Sequence, residues 1–157
     1  MMVEICIESG ITSVAKPKDG YVGYIIRSGN FEKTILGSVK QVTDKHSQIL
    51  CLKSALTRIN IKCDAILIHT SSDYMYFNLI STNFIKWESN SWRKSNGEPV
   101  QYADDWKQVA EILKGRKMMV KLNESYKGKE RLKRAIREKG KIAPVQGDSD
   151  GERRGNQ

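Results

Sequence analysis

An α/β domain built on a five-stranded mixed sheet, with helices on both faces, is predicted by three observations. An early pair of β-prone runs is joined by the turn residues Ser28-Gly29-Asn30, which reads as an antiparallel hairpin. Ala65-Ile66-Leu67-Ile68 is a continuous apolar run, the pattern of a strand covered on both faces. Between and after these lie segments with helical periodicity, so that strands alternate with helices from the fourth strand onward.

In chain order, Val3–Ile7 is the first strand, ending at Glu8, and Ser9–Asp19 is loop, with Pro17 and Asp19-Gly20 as turn signals. Tyr21–Arg27 and Phe31–Lys40 form the hairpin. Thr43 or Asp44 caps a helix through a side-chain oxygen. Ile49, Leu52, Leu56 and Ile59 then share one helical face, and Asn60 ends the helix. After the apolar strand, Asp73–Ile80 is a short helix and Trp87–Pro99 a polar loop carrying tryptophans. Asp104–Lys114 is a helix with Trp106, Val109, Ala110 and Leu113 on one face, stopped by Gly115. Lys117–Leu122 is the last strand and Gly128–Lys139 a strongly basic helix. Residues 1–139 are thus one domain. Residues 140–157, nearly free of apolar side chains, read as a disordered polar tail.

The 157 residues carry 27 Lys+Arg against 18 Asp+Glu, a net charge of +9, which points to an anionic partner and first to nucleic acid. The three cysteines form no CxxC pair, which argues against a disulfide scaffold or a zinc ribbon. No apolar stretch approaches the roughly 20 residues of a membrane span. Met1–Gly10 carries Glu4 and Glu8 without a basic leader segment, so the reducing cytoplasm is the expected compartment.

The spacing Trp87-x4-Trp92-x6-Pro99-Val100-x3-Asp104-x-Trp106, with Val3-Glu4-Ile5 and Gly20-Tyr21-Val22-Gly23 opening two strands, resembles the type 1 ribonuclease H family over about Val3–Ile136. The tryptophan stretch is similar to that family's handle, a protruding helix and loop. The resemblance implies four carboxylates over the sheet holding two Mg²⁺ ions, one activating water and one stabilising the leaving oxygen. Those four positions fall on Glu8, Gln48, Ser71 and Lys133, and the family's mobile His loop falls on Lys121–Lys129, which has no His. One carboxylate of four survives. A unit charge 4 Å away at an effective dielectric of about 20 is worth roughly 4 kcal/mol, so a Lys beside a dication is costly. No catalytic residue, metal or cofactor is therefore expected. Mg²⁺ enters only under a nuclease reading, in which Asp73, Asp44 or Glu130 move into the site.

The resemblance further implies hybrid contacts through shape, phosphates and 2′-hydroxyls. Thr43 falls where the family has a hydroxyl near a phosphate, the family's minor-groove Asn pair falls on Asp44 and Lys45, and Ser71 and Ser72 are phosphate donors or helix caps. Trp87, Trp92, Arg93 and Lys94 are the handle's contribution, with the tryptophans also readable as core. Between Lys121 and Lys141 there are nine basic residues against Glu124, Glu130 and Glu138. Lys127, Arg131 and Arg134 share one helical face, and Lys133 and Arg137 a neighbouring one. This surface is expected to meet phosphates; a solvated helix with pairs such as Glu130–Arg134 is the plainer reading. Lys133, standing at a metal position, is expected to pair with Glu8. Two further readings stay open: an interaction module for an acidic protein partner on the same scaffold, and an active hybrid nuclease with rearranged ligands.

Overall fold

Alternation in the first strand decides how the layers are arranged. In the computed structural model, which describes residues 1–59, 62–81 and 83–142, β1 runs Met2–Ser9. Val3, Ile5 and Ile7 point into the main core, while Cys6 joins a second, smaller cluster on the opposite face. With a side-chain period of two, Glu4 and Glu8 share the face of Cys6. β1 lies at the centre of the sheet. It pairs antiparallel with β2 (Lys18–Ser28; Ile5 opposite Ile26) and parallel with β4 (Ala65–Thr70; Ile5 opposite Ile68). β3 (Phe31–Val42) and β5 (Lys117–Leu122) complete the order β3-β2-β1-β4-β5. The mixed five-stranded sheet expected from the hairpin and the apolar run is therefore present. β2 and β3 meet in a two-residue turn whose Gly29 has φ +58°, the left-handed conformation such turns require.

On the main-core face lie α1 (Asp44–Leu56), α2 (Asp73–Ile80) and α4 (Ala103–Leu113), contributing Ile49, Leu52, Leu56, Met75, Leu79, Trp106 and Val109. Trp106 is fully buried and donates its indole N–H to the Tyr74 hydroxyl at 3.2 Å. The opposite face is covered by α5 (Lys129–Ile142) through Leu132 and Ile136, packed on Cys6 and Ile25. Close approach there depends on Gly23: a Cβ at this position would lie 2.7 Å from Leu36 Cδ2 and 2.8 Å from Leu132 Cδ1.

Four expectations need correction. Thr43 precedes α1 but makes no side-chain cap; its hydroxyl is turned to the Tyr102 hydroxyl at 3.2 Å. α1 ends at Leu56, and Asn60, its expected terminator, lies outside the described residues. A helix α3 (Asn83–Ser89) occupies the start of the expected loop; none of its residues is buried, so it carries no apolar periodicity to read. α5 continues through Gly140 and Lys141 to Ile142, past the expected domain end at 139, and the remainder of the tail lies outside the described residues. No described helix is long and apolar enough to cross a membrane.

Candidate functional site

The end of β1 delivers Glu8 to the sheet's α5 face, where the residue is only 6% exposed. A carboxylate so buried needs donors. Ser71, just past β4, donates to Glu8 Oε2 at 3.1 Å. Tyr126, in the turn before α5, donates to the same oxygen at 2.6 Å. Burial, and then the bond to Glu8, push the Tyr126 phenol far above the ordinary tyrosine range, so it stays a protonated donor. Gln48, in α1, donates to Asp44 Oδ1 at 3.1 Å, while its Oε1 is buried without a hydrogen-bond partner. Lys133 is half-buried on α5 and forms no ion pair with Glu8 among the described residues. The expected Lys133–Glu8 pair is corrected: the phenol and the serine hydroxyl satisfy the carboxylate instead. Of the other acids nearby in sequence, Asp73 and Glu130 are exposed in the first turns of α2 and α5, and Asp44 is held by Gln48.

Further down the same face lies a chain of polar contacts. His69 on β4 is 4% exposed and its Nε2 lies 2.8 Å from Glu4 Oε2. Arg27 on β2 stands 3.7 Å from Glu4 and donates to Glu32 at 2.7 Å, to Cys6 Sγ at 3.9 Å and to the Lys127 carbonyl. Arg131 reaches Glu32 at 3.2 Å. Thus β1, β2, β3 and the turn before α5 are tied through one guanidinium. Among the described residues, Glu4, Cys6 and His69 form the one three-donor cluster of metal-ligand type, with donor atoms within 4.8 Å of each other.

The remaining sequence-derived candidates are scattered. Lys45 sits 5.1 Å over the Tyr74 ring. Ser72 caps α2, accepting from Met75 N–H at 3.2 Å. Trp87 and Trp92 pack against the main core, with Trp87 edge-on to Trp106 at 5.7 Å. Arg93 donates to the Gly97 carbonyl and Lys94 lies 3.8 Å from Glu98, so both close the handle loop on itself. Arg131 is shared with Glu32, and Lys129 lies 5.7 Å over the Tyr126 ring. The Glu130–Arg134 pair is absent among the described residues. Lys127, Arg134, Arg137, Lys139 and Lys141 are exposed along α5 and its lead-in.

A family model described as RNase H matches residues 11–135. The chain belongs to the ribonuclease H family. A ribonuclease H of Actinobacillus succinogenes is 30% identical over 106 residues, 68% of this chain and 68% of the relative. The type 1 enzyme LC9-RNase H1, whose active-site motif is of type 2, superposes with a TM-score of 0.69 at 12% identity, over 89% of this chain and 72% of that one. A foamy viral protease-reverse transcriptase in complex with an RNA/DNA hybrid superposes with a TM-score of 0.63 at 16% identity, over 87% of this chain and 19% of that one. These structural likenesses concern the fold.

The family implies Mg²⁺, and the residues that the resemblance assigns to its ligand positions, Glu8, Gln48, Ser71 and Lys133, are not a set that suits it. One carboxylate stands where four are needed, and one of its oxygens already accepts two hydrogen bonds. The second family position is a neutral amide and the fourth an ammonium. Two dications would face about one negative charge, and Mg²⁺ favours hard anionic oxygens in near-octahedral geometry.

Tyr126 and Arg27 were missed by the sequence reading, and His69 was considered only as a Cys/His metal ligand and set aside. The period-two row Glu4, Cys6, Glu8 was the available signal: three polar or polarisable side chains on one face of a central strand require partners.

Proposed function

We propose that this ribonuclease H family chain binds an RNA/DNA hybrid or a similar duplex through phosphate contacts and does not cut it. The observation that carries this reading is Glu8, the single carboxylate among the positions that the resemblance assigns, whose Oε2 already accepts from Ser71 and Tyr126. Mg²⁺ is no part of the proposed activity. Binding is assigned chiefly to Lys127, Lys133, Arg134 and Arg137, with Arg131 contributing the donors Glu32 leaves over. If roughly four phosphates are neutralised, log affinity falls with log salt at a slope of about −3.6. Thr43, Lys45 and Ser71 are secondary contacts, since each already holds another protein group.

The test is one labelled hybrid titrated at two salt concentrations, with Mg²⁺ or EDTA, and resolved on a denaturing gel. Intact strands with a salt-sensitive complex are expected. RNA cut only with Mg²⁺ would overturn the reading.

A second reading, an interaction module for an acidic protein segment, is favoured by a cleft of about 690 Å³ between α3, α4 and the start of β5. Phe84, Ile85, Trp92 and Met118 line it, and Lys107, Lys114 and Arg116 stand at it beside Glu88 and Glu111. A hybrid that is neither bound nor cut would favour this reading.

A further inference from the structure

We propose that Glu4, Cys6 and His69 form a Zn²⁺ site on the α5 face of the sheet, separate from the family's carboxylate positions and independent of the nucleic-acid reading.

Sheet geometry places the three donors. Glu4 and Cys6 are two residues apart on β1 and so share a face, and Cys6 is the register partner of His69 on β4. The donor atoms come from two adjacent central strands, which hold them without loop ordering. All three lie within 4.8 Å of one another, and His69 Nε2 is already 2.8 Å from Glu4 Oε2. Around a tetrahedral Zn²⁺, with bonds of about 2.0–2.3 Å, donor atoms stand about 3.3–3.6 Å apart. The longest separation therefore has to close by about 1 Å, a movement of the size that side-chain rotation supplies.

The donor types match the ion. Imidazole, thiolate and carboxylate are all zinc ligands, and three protein donors leave one position for water or the second Glu4 oxygen. His69 is 4% exposed and its Nε2 already faces Glu4 Oε2 at 2.8 Å, so the ring presents this nitrogen to the other donors without reorientation. On binding, the Cys6 S–H bond breaks, an S–Zn bond forms and the proton passes to solvent. No oxidant or reductant is involved. Zinc binding to a thiol therefore releases a proton and is favoured as pH rises.

Arg27 is the local competitor, donating to Cys6 Sγ at 3.9 Å and standing 3.7 Å from Glu4. Its Nε bond to Glu32 at 2.7 Å gives it an anchor outside the donor triangle. Removing this cation should tighten binding at least about tenfold.

The experiment titrates Co²⁺ into the full chain, follows the thiolate-to-cobalt charge-transfer absorption, and then displaces it with Zn²⁺. Expected are one equivalent of Co²⁺, loss of the thiolate band in Cys6→Ser, weakening in Glu4→Gln and tightening in Arg27→Gln. Cys6 is buried, so circular dichroism first checks that Cys6→Ser folds. Should it not fold, Glu4→Gln decides: unchanged affinity there overturns the site. A thiolate band persisting in folded Cys6→Ser, or no saturable uptake by the wild type, also overturns it. Hybrid binding is measured in parallel on the metal-free protein, so the two readings fail separately.

Discussion

Tyr126→Phe removes one oxygen atom and tests how Glu8 is held. The ring remains, and with it the tilted contact to His69 at 5.0 Å. What disappears is the 2.6 Å hydrogen bond to Glu8 Oε2, leaving the 3.1 Å bond from Ser71. A hydrogen bond to a charged group contributes about 1.5–3 kcal/mol. At about 2–4 °C per kcal/mol for a chain of this size, the melting temperature should fall by about 3–12 °C. The pH dependence supplies a second readout. The Tyr126 phenol is raised in the folded state, first by burial and then by Glu8. A group whose folded value is raised contributes stability that is fully present below its unfolded value and lost as pH rises. An unfolded tyrosine titrates near pH 10. Wild-type stability should thus decline above about pH 10 more steeply than that of Tyr126→Phe, and the two curves should converge. Urea unfolding across pH 7 to 11 measures both effects. A cycle with Glu8→Gln isolates the pair and should show coupling of about 1 kcal/mol or more. An unchanged midpoint at pH 7 with parallel alkaline limbs would refute the assignment of Tyr126 as Glu8's principal donor.

Other perturbations follow from the same structure. Lys133→Ala with Arg134→Ala should weaken hybrid binding and reduce the salt slope by about 1.8, as filter binding at several salt concentrations would show; an unchanged slope would shift the reading to a protein partner. Millimolar Mg²⁺ should leave the melting temperature of the wild type where it is, since an ion that binds the native state stabilises it; a rise seen by differential scanning fluorimetry would contradict this. Trp106→Ala should cost about 3–5 kcal/mol, because it empties a fully buried site and strands the Tyr74 hydroxyl; denaturant unfolding checks this. Asp105→Asn should lose about 1 kcal/mol at pH 7 by releasing Lys53 at 2.7 Å and His46 at 3.1 Å. Burial opposes the Asp105 charge, but Lys53 and His46 hold its carboxyl below the usual range. The wild-type advantage is therefore present above about pH 4 and vanishes as pH falls through the folded value, which acid titration of unfolding would trace.

The sheet was legible because its signals are local. Ser28-Gly29-Asn30 announces the hairpin within three residues, and Ala65–Ile68 carries its burial in its composition. The assignment of Gln48, Ser71 and Lys133 to the family's carboxylate positions rests on the motifs around them alone. The partners of Glu8 were not legible. Glu8 and Tyr126 are separated by 118 residues, and their meeting depends on the turn between β5 and α5. The Arg27–Glu32–Arg131 chain likewise closes only when α5 settles on the sheet. Lys133 was assigned to Glu8 from its place at a metal position and its charge, whereas Glu8 Oε2 accepts a short bond from the Tyr126 phenol.

α5 is the one described helix on its face of the sheet, held by Leu132 and Ile136 against Cys6 and Ile25. So small an apolar contact makes the opening of this helix less costly than global unfolding, so its amides should exchange hydrogen before those of α1 or α4. The same helix carries the exposed cations. A polyanion that grips Arg134 and Arg137 more tightly while α5 is seated would hold the helix down over Glu8 and the Glu4–Cys6–His69 cluster. Occupancy of the outer surface would then set how often solvent reaches the buried polar groups beneath it, joining recognition outside to chemistry inside through one weakly seated element.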